Sequence, residues 1–420
     1  MDQNNTYEKL SADTLAARLG GLAAVTDRVG ADTSKWMVRE VGDGNLNLVF
    51  VLEGPKGTVI VKQALPYVRL VGDSWPLPLY RAFFEHQALF RQQERAPGMV
   101  PEVFHFDKEQ ALIVMEFYQP HIILRGKLIA GETVRNLPEM LGAFCARTAF
   151  RGSELSMASA EKKADVGLFS GNVEIPAITE ALVFTDPYYD AEMNHHTPGL
   201  DAIVAKVRGN ALLKQRAQKM LMKLASNTET MVHGDLHSGS IMSTDSDSRV
   251  IDPEFAQYGP MGFDIGMLTA NFLMAYFSQP AHRDAADLVG YQAWILETIR
   301  ETFDNFNTEF KHLWKTERTG MLYPKALFED QGQSSDAVCE SVLADILQDA
   351  VSFCGIEMHR RVLSLAHNAD FETIEDTGLR ARLEARNIAM GAELILNSDT
   401  ITNIAALTAM AERFNAGDYL

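Results

Sequence analysis

The chain reads as an α+β protein of two lobes, an antiparallel β-sheet N-terminal lobe followed by a mainly helical C-terminal lobe. Three observations predict this. From about Val38 to Met115 the apolar residues fall in short β-branched runs between glycine-rich turns, with one helical stretch near Pro78–Gln93. After Ala111-Leu112-Ile113-Val114-Met115 the pattern lengthens to helical periods. Between the two lies Glu116–Pro120, a polar stretch containing proline, so the boundary is expected at 1–117 and 118–420.

In the first half, Val49–Glu53 and Thr58–Ala64 flank Gly54-Pro55-Lys56-Gly57, a turn composition, so the two strands should pair as a hairpin. In the second half helices are expected near Thr133–Arg151, Asp201–Ala225, Gly262–Phe277, Ala286–Phe306, Ser335–His367 and Gly378–Leu396. Thr244–Ser248 is polar and short, and it sits between Ile241-Met242 and Val250-Ile251 as the turn of a second hairpin would. No internal repeat or long low-complexity tract is found.

A chain of 420 residues, 46% of them hydrophobic, can bury the cores of two lobes. With 38 basic and 56 acidic side chains the net charge is −18, which repels a polyphosphate backbone and makes nucleic acid an unsuitable partner. The start Met1-Asp2-Gln3-Asn4-Asn5 lacks a signal-peptide pattern, and no apolar run reaches membrane-spanning length, so a cytoplasmic protein is expected. Cys145, Cys339 and Cys354 lack the spacing of a zinc site or disulfide framework and are expected as buried or half-buried free thiols.

The strongest local signal is His233-Gly234-Asp235-Leu236-His237, followed after a hairpin by Asp252-Pro253-Glu254. Phosphoryl transfer needs one carboxylate beside the acceptor hydroxyl and others to hold the magnesium that neutralises nucleotide phosphates. Asp235 fits the first task; Asp252 and Glu254, hard oxygen donors, fit the second. Either motif alone could be a capped turn or a proline bend. Their order and spacing, with compatible residues upstream, favour the chemistry. Gly42-Asp43-Gly44-Asn45-Leu46-Asn47 would let backbone N–H groups approach phosphates, although Gly-Asp-Gly alone is more often a plain turn. Lys62 lies on a strand among apolar neighbours and needs an anionic partner, either Glu85 on the following helix or nucleotide phosphates. Met115-Glu116-Phe117-Tyr118 would offer adenine an apolar slot with backbone hydrogen-bonding groups. Asp264, at a helix start, is expected to support the Asp235 loop through backbone N–H groups and not to act as a ligand.

This series resembles the aminoglycoside phosphotransferase and choline kinase branch of the protein-kinase-like superfamily. Two departures narrow it: Ser240 stands where that branch usually has asparagine, and Pro253 separates the two metal-site acids. Both look like the 5-methylthioribose kinase family, as do Gly42–Asn47, Val71-Gly72-Asp73-Ser74-Trp75-Pro76-Leu77, Val183-Phe184-Thr185-Asp186-Pro187 and Asp252-Pro253-Glu254-Phe255-Ala256. The resemblance implies ATP- and Mg2+-dependent phosphorylation of the anomeric hydroxyl of 5-methylthioribose, in methionine salvage, by a homodimer. It places nucleotide contacts on Asn47, Lys62, Glu116, Phe117, Tyr118 and the Asp252-Pro253-Glu254 run, and metal on Asp252 and Glu254. Sugar falls on Asp235, and Trp75 belongs to a segment resembling a lid. The family's adjacent arginines can only be Arg360-Arg361 in Glu357-Met358-His359-Arg360-Arg361, giving catalytic roles to Asp235, Arg360 and Arg361. Without the family, that arginine pair reads as an exposed basic turn on a helix. The rival readings are a kinase for choline, homoserine or an aminoglycoside, and a catalytically silent nucleotide-binding scaffold.

Overall fold

The computed structural model describes residues 7–42, 46–68 and 72–420, and for residues 72 and 73 the backbone only. The N-terminal reading over Met1–Asn5, the centre of the glycine-rich segment (Asp43, Gly44, Asn45) and Val71 lie outside the described residues. Two compact units emerge, one running to Pro120 together with Arg249–Glu254, the other His121–Ser248 with Phe255–Leu420.

The first unit is built on a five-stranded antiparallel sheet. Its strands are β1 (Met37–Val41), β2 (Asn47–Gly54), β3 (Gly57–Ala64), β6 (Val103–Asp107) and β7 (Leu112–Glu116), in the order β1-β2-β3-β7-β6. A separate two-stranded hairpin joins β4 (Tyr67–Val68) to β5 (Gly72–Pro76). The β2–β3 hairpin turns at Pro55-Lys56 with Gly54 opposite Gly57, which fixes the register Val49↔Lys62 and Phe50↔Val61. Side chains alternate across a strand, so this register decides what each face carries. Leu48, Phe50, Leu52, Val59, Val61, Leu112 and Val114 form one buried face. Two short helices not among the expected elements, α1 (Ala12–Leu19) and α2 (Ala23–Val29), cover it with Leu15, Leu19, Val25 and Val29. Asn47, Lys62 and Ala64 therefore share the opposite face. There Ala64 meets Ala82 of helix α3 (Arg81–Arg95), which begins three residues later than the sequence period suggested.

The second unit is mostly helical. Leu137–Arg151, Phe263–His282, Ala285–Thr316, Asp336–Leu363 and Thr377–Asn397 correspond to five expected helices. The sixth, expected over Asp201–Ala225, is two helices, Asp201–Gly209 and Ala211–Ser226. Asn210 breaks it: its backbone is extended, and its side chain accepts the Leu213 N–H at 3.0 Å, capping a new helix start. The expected second turn forms at Thr244–Asp247, where the Thr244 N–H reaches the Asp247 carbonyl at 2.8 Å. All three cysteines are free and buried. Among the described residues no helix is long and apolar enough to cross a membrane.

Helix Phe263–His282 is buried on nearly every side and serves as the axis of this unit. A Cβ on Gly266 would lie 2.5 Å from the Ala350 carbonyl oxygen, and one on Gly262 2.5 Å from that of Ile346. The two glycines, one turn apart, thus let helix Asp336–Leu363 approach backbone to backbone. Gly266→Ala should force that crossing apart and lower stability by about 1–3 kcal/mol, read as a lower urea midpoint at unchanged slope; an unchanged midpoint would show that the crossing tolerates separation.

Candidate active site

The first unit gathers Asn47, Lys62, Asp252 and Glu254. Lys62, on β3, donates to Glu85 Oε1 of α3 at 2.7 Å and also pairs with Asp252. Glu85, the protein partner considered from sequence, is in contact with it. Burial alone would strip the Lys62 ammonium of its proton more easily, but Asp252, Glu85 and Glu254 outweigh it and hold the group above its ordinary range. Burial drives the Glu85 carboxyl up, to about 7, against the pull of Lys62, and raises Glu254 in the same way. Asp252 takes φ +69°, a left-handed backbone sparsely populated by residues other than glycine, immediately before Pro253. The oxygens of Glu85, Asp252 and Glu254 can lie within 4.8 Å of one another. Three carboxylates thus face two cations, Lys62 and Arg81, a donor set with hard oxygens and negative charge in excess. Magnesium suits such a set.

Arg81 was not singled out from sequence. It is 1% exposed and donates through one terminal nitrogen to Asn47 Oδ1 at 2.9 Å and to Glu254 Oε2 at 3.1 Å, while Asn47 Nδ2 reaches the same Glu254 oxygen at 2.8 Å. Its position one turn before Glu85 on an amphipathic helix was the available signal. Glu116 ends β7 with its N–H on the Glu102 carbonyl, 2.9 Å, and its Oε2 on the Glu102 N–H, 3.2 Å. Phe117 follows half-buried and Tyr118 buried, while Trp75 is half-buried on the separate hairpin.

The second unit gathers Asp235, Arg360 and Arg361. Asp264 accepts the N–H groups of His233 at 2.6 Å and Gly234 at 3.1 Å, shaping the loop that precedes Asp235. Gly234 has φ +88°, and a Cβ there would sit 2.1 Å from the Phe255 carbonyl oxygen, so only glycine fits. Ser240 closes the loop: its hydroxyl accepts the His237 N–H at 2.9 Å and lies 3.0 Å from the Asp235 carbonyl as donor. The residue that departs from the usual asparagine is spent inside the loop.

Asp235 Oδ1 accepts from Arg360 at 3.3 Å and Arg361 at 3.1 Å. Both arginines are 6% exposed, which corrects the reading of an exposed basic turn. Glu357, fully buried, explains why. It lies three and four residues before them on helix Asp336–Leu363 and accepts from Arg360 at 3.2 Å and Arg361 at 2.6 Å. Burial would raise the Asp235 carboxyl, yet His237, Arg361 and Arg360 together hold it well below its ordinary value. Burial presses the His237 imidazole down to about 4. Its Nδ1 takes the Gly239 N–H at 2.8 Å, so the neutral ring carries its proton on Nε2, 3.2 Å from Asp235 Oδ2. At neutral pH His237 therefore supplies a hydrogen bond and the arginines supply the charge. Arg125 braces the other side of the loop, donating to Ser238 at 3.1 Å and pairing with the buried Asp370 at 3.4 Å. Sequence reasoning gave no role to Glu357, His237 or Arg125; the place of His237 in the His-Gly-Asp motif and the spacing of Glu357 to the arginine pair were the available signs.

A strand lysine paired to a helix glutamate, an acidic run on a strained turn and an aspartate loop held by arginines define a phosphotransferase of the kinase type, and the profile of the phosphotransferase enzyme family matches residues 38–301. Methylthioribose kinase of Escherichia coli O45:K1 (strain S88 / ExPEC) is 40% identical over 410 residues, 97% of this chain and 98% of that protein. Methylthioribose kinase 1 of Oryza sativa subsp. japonica is 38% identical, covering 97% and 96%, and methylthioribose kinase of Geobacillus sp. (strain WCH70) is 37% identical, covering 96% of each. The chain belongs to the phosphotransferase enzyme family and, within it, to the methylthioribose kinases.

The lowered Asp235 carboxyl carries a pH signature. A carboxylate held below its ordinary 3.8 contributes stability that is complete above that value and lost as pH falls through the lowered one. Arg361→Met should raise the Asp235 carboxyl and move the acid loss of near-ultraviolet dichroism to higher pH, with the signal at pH 8 retained. An acid profile that does not move would show that Arg361 does not hold the charge.

Proposed function

We propose that this protein is an ATP-dependent kinase that phosphorylates the anomeric hydroxyl of 5-methylthioribose, giving the 1-phosphate in methionine salvage. The observation that carries the reading is similarity to methylthioribose kinases at 36–40% identity over nearly the whole chain. The γ-phosphorus leaves the β–γ bridging oxygen and bonds to the sugar oxygen, ADP departs, and the hydroxyl proton passes to Asp235. The low proton affinity of Asp235 makes it chiefly an orienting acceptor, with proton transfer late, as suits a loose transition state. Arg360 and Arg361 steady the charge on the transferring group. Asn47, Lys62 and the backbone of Glu116, Phe117 and Tyr118 hold the nucleotide, with Glu85 keeping Lys62 aimed.

Asp252 and Glu254, with Pro253 fixing the bend between them, would hold magnesium, which when bound draws charge from the triphosphate oxygens. Trp75 belongs to the acceptor-covering segment. The division into a nucleotide-binding lobe, 1–117, and a helical lobe, 118–420, carrying the catalytic loop, metal-site run and acceptor site in sequence, a homodimeric assembly and a cytoplasmic location complete the reading, although the run Arg249–Glu254 groups with the first unit. Acceptor choice does not rest on repulsion of cations, because Asp235 and Glu357 balance the charges of Arg360 and Arg361.

Two measurements test the reading. ADP release with magnesium, ATP and a panel of methylthioribose, ribose, choline, homoserine and an aminoglycoside should show turnover with methylthioribose alone; choline in its place would overturn the acceptor while leaving the fold. Asp235→Asn should lower kcat by about 10²–10⁴-fold with nucleotide binding kept, and near-normal turnover would remove Asp235 from its role.

A further inference from the structure

The buried guanidinium of Arg81 touches three parts of the first unit at once. One terminal nitrogen donates to Asn47 Oδ1 at 2.9 Å and Glu254 Oε2 at 3.1 Å; the other donates to the Leu65 carbonyl at 3.2 Å and to the Leu46 carbonyl. Leu46 closes the glycine-rich segment, Leu65 follows the end of β3, and Glu254 is the second acid of the Asp-Pro-Glu run. Asn47 adds a second donor to the same Glu254 oxygen, at 2.8 Å. Both bonds fall on Oε2, so the carboxylate is turned by two fixed donors and Oε1 takes neither of them. Glu85, one turn further along α3, holds Lys62, and Lys62 in turn pairs with Asp252. One helix therefore governs both acids of the run, Glu254 directly through Arg81 and Asp252 through Glu85 and Lys62.

We infer that Arg81 is a positioning residue for the metal-nucleotide site: its planar fork locks Glu254 with one oxygen presented to a divalent cation and ties that carboxylate to the strand carrying Asn47. This rests on the reading of Asp252 and Glu254 as metal ligands. A guanidinium suits the task because its donors leave one plane in fixed directions and reach four acceptors together, which an ammonium on a flexible stem does not. Two physical effects of its removal oppose each other. Losing a positive charge beside Glu254 would tighten a divalent cation, whereas losing the orientation of the carboxylate would loosen it. Buried partners that orient a metal-binding side chain commonly change affinity by about 10–100-fold, and orientation is the effect assigned to Arg81.

Arg81→Lys separates the two, because it keeps the charge and gives up the fork. Mn2+ binding is followed by electron paramagnetic resonance with a non-hydrolysable ATP analogue, without any acceptor, in wild type, Arg81→Lys and Arg81→Met. The expected result is a dissociation constant for Mn2+ about tenfold weaker in both variants, with methylthioribose KM unchanged in Arg81→Lys. Unaltered Mn2+ affinity in a folded Arg81→Lys protein, or tighter binding in Arg81→Met, would overturn the inference. Should Arg81→Met not fold, Arg81→Lys decides alone, its folding checked by its unfolding midpoint. Wild type that binds no Mn2+ with nucleotide would instead sink the metal-ligand reading on which this rests. A failure to phosphorylate methylthioribose would strike only the acceptor, since the binding measurement contains none.

Discussion

The first unit depends on one buried charge. The ammonium of Lys62 sits on an interior face of the sheet, where an unpaired cation would be costly, and it is kept there by Glu85 from a helix and Asp252 from a distant stretch of chain. Removing one partner of such a buried pair commonly costs about 3–5 kcal/mol, because the survivor is left uncompensated. The geometry of strand, helix and acidic run is therefore mutually enforced. Arg81 extends the same logic to Glu254, so an excess of carboxylate is gathered and oriented where a divalent cation would neutralise it.

The second unit solves a related problem in the opposite sense. There one aspartate, Asp235, is surrounded by donors and held ionised, and the donors are themselves fixed by a buried acid. Glu357 shares a helix face with Arg360 and Arg361, which limits the freedom of both guanidiniums before any substrate is present. The close crossing at Gly262 and Gly266 sets this helix against the one whose first turn carries Asp264, and Asp264 shapes the loop bearing Asp235. On the proposed reading, preorganisation of this kind would let charge developing during phosphoryl transfer meet dipoles and cations already in place.

Much of this was legible in the residues. The β-branched runs and the Gly54–Gly57 turn set the β2–β3 register, and that register alone puts Asn47 and Lys62 on one face. The His-Gly-Asp loop and the Asp-Pro-Glu run stood out through composition and order. Helices α1 and α2, each about two turns long, were not among the expected elements. Asn210 broke an expected helix because its amide could satisfy the backbone of a new start, a choice that averages out of a hydropathy pattern.

The sequence by itself determined the strand and helix periods, the identity of the charged groups and the family to which their order belongs, since all of these are local or pairwise in the chain. Tertiary structure alone decided that Asp252 joins Glu85 in answering Lys62, that Arg360 and Arg361 are buried and not exposed, that Arg81 holds Glu254 while Glu357 holds the arginine pair, and that His237 hydrogen-bonds Asp235. The reason is physical: a side chain's protonation and orientation follow from burial and from partners many residues away, and neither is encoded in its immediate neighbours.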